Sequence, residues 1–363
     1  MSALKRRAQI ILWLPYTMIL AVVAATTPIS PSEAYLFFQA ETTPTTLLMH
    51  WGDAVISSEL GLRLFFLVLG YLNLSLFYAV TAHFFSEREE RLLALYFYAM
   101  LPGVIVSTVL ANDAVIIAFL VLLFLYFYLH QQRLLSLFPL LFLGLAHWSA
   151  LYFYLLLMLY GLFQKEKWIF LNAAIAVLFF FVLGARVPEP VSGNYLFEML
   201  GNDATIFSPL LFIYFFYALY GTLWRGERNV LWYISFGALI ISLVLSLQER
   251  VRITDFSAYL MLGIIVAVHT YLGSLKVRLK RFRKSHRISF WVVAISLLTS
   301  SLAMVLHQPI YRLLGEKNYP IVASVYSPYD RAVRLKKSGK KCVQESRQKV
   351  LYQMRYYGLN KCF

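Results

Sequence analysis

Apolar runs separated by short charged clusters repeat along most of the chain. At about 20 apolar residues per bilayer crossing they predict eleven membrane-spanning helices. These fall near 8–26, 61–85, 92–110, 113–130, 134–146, 148–163, 168–184, 208–224, 229–247, 256–273 and 288–306. Between the first two, Leu47, Leu48, Trp51 and Val55 recur at helical spacing, which predicts an amphipathic helix lying in the membrane interface. After the last span the pattern breaks. Tyr319–Tyr326 reads as a strand, and Ser346–Tyr357 reads as a helix with Val350, Met354 and Tyr357 on one face. The chain is thus expected to be an all-α polytopic membrane protein, with a membrane domain over 1–306 and a small basic tail over 307–363.

Composition agrees. Of 363 residues, 60% are hydrophobic and 14% charged, which excludes a soluble enzyme and a disordered chain. The net charge of +15 suggests nucleic-acid binding until the cations are placed. Seventeen Lys and Arg fall in one set of alternate loops: Lys5, Arg6, Arg7, Arg88, Arg91, Arg133, Lys165, Lys167, Arg225, Arg228 and the seven from Lys276 to Arg287. The opposite set holds four, Arg63, Arg186, Arg250 and Arg252. That asymmetry puts the N-terminus in the cytoplasm and, with an odd number of spans, the tail outside. The N-terminal basic cluster and apolar stretch resemble a signal peptide, but length and the lack of a small-residue cleavage site favour a retained span. The two cysteines, Cys342 and Cys362, could form one disulfide but no metal or redox motif.

Ten carboxylates between Glu33 and Asp255 collect on the predicted outward face. Carboxylates contribute little to topology, so either loop solubility or a site explains them. Glu33 stands close to the exit of the first span, where a carboxylate can act as general base or simply sit at the interface. Asn112-Asp113 occupies a tight turn between two apolar runs. An ionisable residue there is a functional candidate, or a helix N-cap, or both. Arg63, Arg250 and Arg252 lie where a guanidinium could bind a lipid phosphate bidentately, or pair with Glu59, Glu249 or Asp255. His147-Trp148 marks another outward turn, where the Trp also suits an aromatic belt.

The order of these residues resembles the GT-C superfamily of membrane glycosyltransferases. The branch of the protein O-mannosyltransferases and lipid A aminoarabinose transferases is most similar. The resemblance rests on Ser32-Glu33-Ala34-Tyr35, a Pro-containing loop ending in His50-Trp51, Glu59 to Leu64 leading a span, Leu101-Pro102-Gly103, Asn112-Asp113-Ala114, Gly144 to His147, and Gln248 to Arg252. It covers roughly residues 30–270. Three departures stand out: Ser32 where the family usually has Asp, Thr43-Pro44-Thr45 in place of a double-proline motif, and no Pro after Arg63-Leu64. The resemblance implies transfer of a sugar from a polyprenyl-phosphate donor to a lipid, glycan or protein acceptor on the outer side of a bacterial inner membrane. It implies Glu33 and Asp113 as catalytic groups, Arg63, Arg250 and Arg252 at the donor phosphate, and Tyr35, His50, Asn112 and His147 as substrate contacts. No cofactor is required. A divalent cation could bind the carboxylates, although no ligand spacing signals one. A transporter or flippase of a lipid-linked glycan, or an inactive accessory subunit, would share the same apolar content. A flippase, however, would be expected to place ionisable residues mid-span rather than at one surface.

Overall fold

The apolar runs form helices because, away from water, intrahelical bonds satisfy the backbone most completely. A computed structural model describes residues 15–38, 43–225, 228–318 and 320–362. In chain order the helices are α1 (Pro15–Thr26), α2 (Pro31–Phe38), α3 (Pro44–Val55), α4 (Glu59–Thr81), α5 (Arg88–Ala99), α6 (Pro102–Val109), α7 (Asp113–Leu129), α8 (Leu137–Ala146), α9 (Ala150–Phe163), α10 (Lys167–Leu183), α11 (Leu196–Phe207), α12 (Pro209–Arg225), α13 (Val230–Ser246), α14 (Ile253–Met261), α15 (Ile264–Val277), α16 (Lys280–Val305), α17 (His307–Asn318), α18 (Pro320–Lys337) and α19 (Gln348–Tyr356). Five of them, α2, α3, α6, α12 and α18, begin at proline, whose fixed φ and missing N–H suit the first helical position. Two short parallel strands, β1 (Cys342–Val343) and β2 (Asn360–Lys361), complete the fold.

Every predicted span coincides with helix, although the portion of the first before residue 15 lies outside the described residues. The lengths, however, do not support eleven full crossings. Among the described residues, three helical stretches are long and apolar enough to cross a membrane: α4, α14 with α15, and α16. The pairs α5–α6 and α11–α12 qualify only if joined across bends of 61° and 101°. The other apolar helices with both ends among the described residues, α7, α8, α9, α10 and α13, have 10–17 residues. At 1.5 Å per residue such helices reach at most about 25 Å, short of a hydrocarbon core of about 30 Å.

The contacts divide the chain into two units. One comprises the described residues of Met1–Val68, Thr108–Asn112 and Leu302–Phe363. Here α2 packs on α3 and α19, and α18 packs on α17 and α19. Thr43 caps α3 by accepting from the Thr46 N–H, and the Thr46 hydroxyl accepts from the Thr43 N–H in return. A glycine is required where α3 meets the start of α4, since a Cβ on Gly52 would lie 2.1 Å from the Gly61 carbonyl oxygen.

The tail differs from its sequence reading. The expected strand over 319–326 is helical in α18 from Pro320 on, and residue 319 lies outside the described residues. Val322, Ala323 and Tyr326 are buried at helical spacing, so packing overrides the β-branched composition. The expected helix is α19, with Val350 and Met354 in a small core with Ala332, Val343 and Leu359. Cys342 and Cys362 are disulfide-bonded. Gln353 donates from Nε2 to the carbonyls of Ile29 (2.7 Å) and Val325 (2.8 Å), and the Tyr357 hydroxyl accepts from the Ile29 N–H at 3.0 Å. The tail therefore lies against the first loop.

The second unit comprises Leu69–Ser107 and Asp113–Ser301. In it α9 packs on α10 and α13, and the short α14 is buried from Asp255 to Met261 against α7, α11 and α13. Phe153 stacks on Tyr259 at 5.3 Å, and Phe77 on Tyr98 at 4.0 Å.

Replacing Cys342 with Ser opens a loop whose ends lie 20 residues apart, worth about 3 kcal/mol by loop entropy. The expected result is selective trypsin cleavage after Lys336–Lys341 in Cys342→Ser, with the remaining helices as resistant as in wild type.

Candidate functional site

The first unit is built around one buried guanidinium. At the end of α1, the carbonyl of Ala24 would ordinarily accept from the N–H of residue 28, but Pro28 has none. Arg63, from the second turn of α4, supplies the missing donor. Its Nη1 donates to the carbonyls of Ala24 (2.7 Å) and Thr27 (2.6 Å), and Nη2 to that of Pro28 (3.0 Å). The remaining two N–H groups go to Glu33, with Nε to Oε1 at 2.8 Å and Nη2 to Oε2 at 2.7 Å. All five donors of the guanidinium are thereby used.

Glu33 is equally occupied. Its Oε2 also accepts from the Ser30 N–H and its Oε1 from the Ala111 N–H, both at 2.8 Å. The pair is buried, with side-chain exposures of 0% for Arg63 and 2% for Glu33. Burial pushes the Glu33 carboxyl up, but the Arg63 guanidinium and the two backbone N–H groups outweigh it and hold the carboxyl below the usual range. A carboxylate with four donors filling its lone-pair directions has no direction left for an acceptor proton. The sequence expectation of Glu33 as base and Arg63 as phosphate ligand therefore meets two side chains closed on each other. What the pair does here is tie the exit of α1, the start of α2 and the Ala111 backbone to α4.

Asn112 and Asp113 follow Ala111 directly. Asn112 Nδ2 donates to the Leu110 carbonyl at 3.1 Å, and Asp113, half-buried, opens α7. Tyr35 and His50 lie in an aromatic group of the first unit. Tyr35 meets Tyr352 edge-on at 5.6 Å, with Lys349 5.9 Å from its ring, and the exposed His50 lies 4.5 Å from Phe37. This places Tyr35 beside the tail helix, a neighbour no local pattern announces.

In the second unit Arg250 is exposed and paired with Glu198 at 2.6 Å, its guanidinium over the Tyr195 ring. Arg252 is exposed, and its backbone N–H donates to Asp255 Oδ2 at 3.1 Å. The other oxygen of Asp255 lies 3.4 Å from His147 Nε2. His147 is buried, with Nδ1 2.8 Å from the Ser149 hydroxyl, which in turn meets the Tyr259 hydroxyl at 3.1 Å. Expected as a substrate contact, His147 instead holds the turn before α9 to the start of α14, beside the Arg250–Arg252 loop. Asp203 is a further carboxyl that sequence reasoning counted only as one of ten. It is fully buried, and neither oxygen has a hydrogen-bond partner among the described residues. No three His, Cys, Asp or Glu side chains among the described residues group so as to hold a metal ion.

No protein-family model and no curated protein sequence matches the chain. Among solved structures it is similar to ArnT from Cupriavidus metallidurans in the apo state, with a TM-score of 0.59 and 14% identity over 97% of this chain and 85% of that one. It is also similar to the same protein bound to undecaprenyl phosphate, with a TM-score of 0.56 and 13% identity over the same shares. The fold is thus similar to that of ArnT.

Glu33→Gln should leave a buried guanidinium without its counter-charge and cost about 3–5 kcal/mol. The folded carboxyl titrates below its unfolded value of about 4.5, so the pair's contribution is full above that pH. It is lost as pH falls through the folded value. Thermal melts in detergent from pH 7 to 3 should show wild type descending toward Glu33→Gln below about pH 4.5, and equal slopes would refute the assignment.

Proposed function

We propose that the protein transfers a sugar from a polyprenyl-phosphate donor to an acceptor hydroxyl or amine at the outward face of the membrane. The observation that carries this reading is the likeness in fold to ArnT over 97% of the chain, one structure of which holds undecaprenyl phosphate. A membrane location suits such a donor, whose isoprenoid chain stays in lipid while the phosphate and sugar lie at the surface.

The proposed step is a direct displacement at the anomeric carbon. The acceptor oxygen or nitrogen forms a bond to that carbon, the carbon–oxygen bond to phosphate breaks, and its electron pair leaves on the phosphate. Asp113 takes the acceptor proton. Arg250 and Arg252, exposed on one loop, neutralise the departing phosphate, the part a divalent cation could otherwise play. Glu33 and Arg63 act indirectly, holding the backbone two residues before Asp113. Asn112, Tyr35 and His50 remain candidates for contact with sugar or acceptor, and His147 supports the phosphate loop from behind.

We place this face in the periplasm of a bacterial inner membrane, with the N-terminus cytoplasmic. The tail and the first loop belong to one unit, so they share a side, and a disulfide in that unit suits an oxidising compartment. The concentration of cations in the alternate loops supports the same orientation.

The test is transfer of label by the purified protein from a pool of radiolabelled polyprenyl-phosphate sugars to membrane acceptors. Asp113→Asn should lower kcat by about 10²–10⁴ with an unchanged melting temperature. Arg252→Gln should mainly raise KM for the donor. Absence of transfer, with label crossing sealed vesicles instead, would overturn the enzyme and favour a flippase.

A further inference from the structure

An apolar groove in the second unit has no part in the proposed reaction. Its volume is about 70 Å³, and it is lined by Phe97 of α5, Leu211 and Tyr214 of α12, Val268 and Tyr271 of α15, and Phe290 of α16. Three rings define one end, with His286 stacked on Tyr271 at 4.9 Å and Tyr271 on Phe290 at 4.3 Å. His286 is fixed by the Ser274 hydroxyl, 2.8 Å from its Nε2.

The surroundings of this end decide what the groove would take. Between Asp255 and Glu316 the chain has no acidic residue, while Lys276 to Arg287 holds seven cations. Of these, Lys276 pairs with Glu90 at 3.0 Å, and Arg283 donates to the carbonyls of Arg278 and Lys276. Arg278, Arg281, Lys284 and Arg287 are exposed and enter no ion pair among the described residues. Arg278 lies within electrostatic reach of His286, and Arg287 of Tyr271, both lining residues.

The helix that carries Arg281, Lys284 and Arg287, α16, continues into apolar sequence. Only 11% of the apolar window of α16 is buried within the protein, and Ile288, Trp291, Val292 and Ile295 are exposed, as for a helix facing lipid. Its charged first turns therefore stand at headgroup level, with Trp291 where an interfacial aromatic belongs. The groove runs from this level toward the hydrocarbon.

We propose that this groove binds an anionic phospholipid of the leaflet on the basic side, with one acyl chain along Val268, Tyr271 and Phe290 and the phosphate at Arg278 and Arg287. Charge complementarity selects the occupant. An apolar slot alone would accept any chain, but Arg278 and Arg287, both exposed and outside any ion pair among the described residues, stand beside its lining residues and favour a headgroup with net negative charge. The site lies at the end of the molecule bearing the cytoplasmic cations, whereas the proposed transfer takes place at the opposite face, so the bound lipid is not the sugar donor.

Native mass spectrometry of the full chain, delipidated and then supplied with phosphatidylglycerol or phosphatidylcholine, tests this. Wild type should retain phosphatidylglycerol in preference to phosphatidylcholine. Arg287→Gln should weaken retention about fivefold, and Arg278→Gln with Arg287→Gln about 25-fold, at about fivefold per cation near an anionic headgroup. Ser289→Trp, which fills the groove from an exposed lining position, should abolish retention of both lipids. Lys340→Gln with Lys341→Gln, in the tail, should change nothing. Equal retention of the two lipids, or an equal loss from the tail variant, would overturn the site. Melting temperatures of the variants separate lost binding from lost fold, and should a groove variant unfold, the lipid preference of wild type alone still decides.

Discussion

A guanidinium with no access to water must find five acceptors and a negative charge, or the fold around it fails. Arg63 meets that demand with three carbonyls at the end of α1 and the carboxylate of Glu33. Desolvating such a pair is expensive, and its attraction repays the cost only when the remaining hydrogen-bonding positions are filled. Here they are filled by backbone, from Ser30 and Ala111. The arrangement therefore fixes four separate stretches of chain at once, and a hydrophobic replacement of equal volume could not do so with the same directional control.

Much of the helical content was legible from the apolar runs, because membrane-facing sequence leaves few alternatives to helix. Span number was less legible. Hydropathy sees the total apolar run across α5, Pro102 and α6, but not the 61° bend at which it breaks. The tail shows the limit of composition more sharply. Pro320-Ile321-Val322 reads as strand, yet Pro320 is also a good first residue of a helix, and the burial of Val322, Ala323 and Tyr326 decides between the two.

The candidate site divides in the same way. Glu33 and Arg63 were identifiable as unusual, since ionisable groups at span ends require a reason. What periodicity could not reveal is that they are each other's reason. The orphaned Ala24 carbonyl is written in the spacing Ala24 to Pro28, and that signal could have pointed to a buried donor. By contrast, the approach of His147 to Asp255, and of Gln353 to Ile29, joins residues more than a hundred positions apart. No local pattern carries such information. Arg250 and Arg252 remain exposed on one loop, which is what a ligand arriving from outside requires.

The bond from Gln353 to Ile29 spans 324 residues. During synthesis at about 5–20 residues per second, the first loop precedes the tail from the ribosome by roughly 15–65 s. For that interval the Ile29 backbone lacks the partners that Gln353 and Tyr357 later bring. Completion of the first loop therefore waits for the last part of the chain to be translated. A nascent chain stalled before the tail would carry both Glu33 and Arg63 and still lack the Gln353 and Tyr357 side chains that bond the Ile29 backbone.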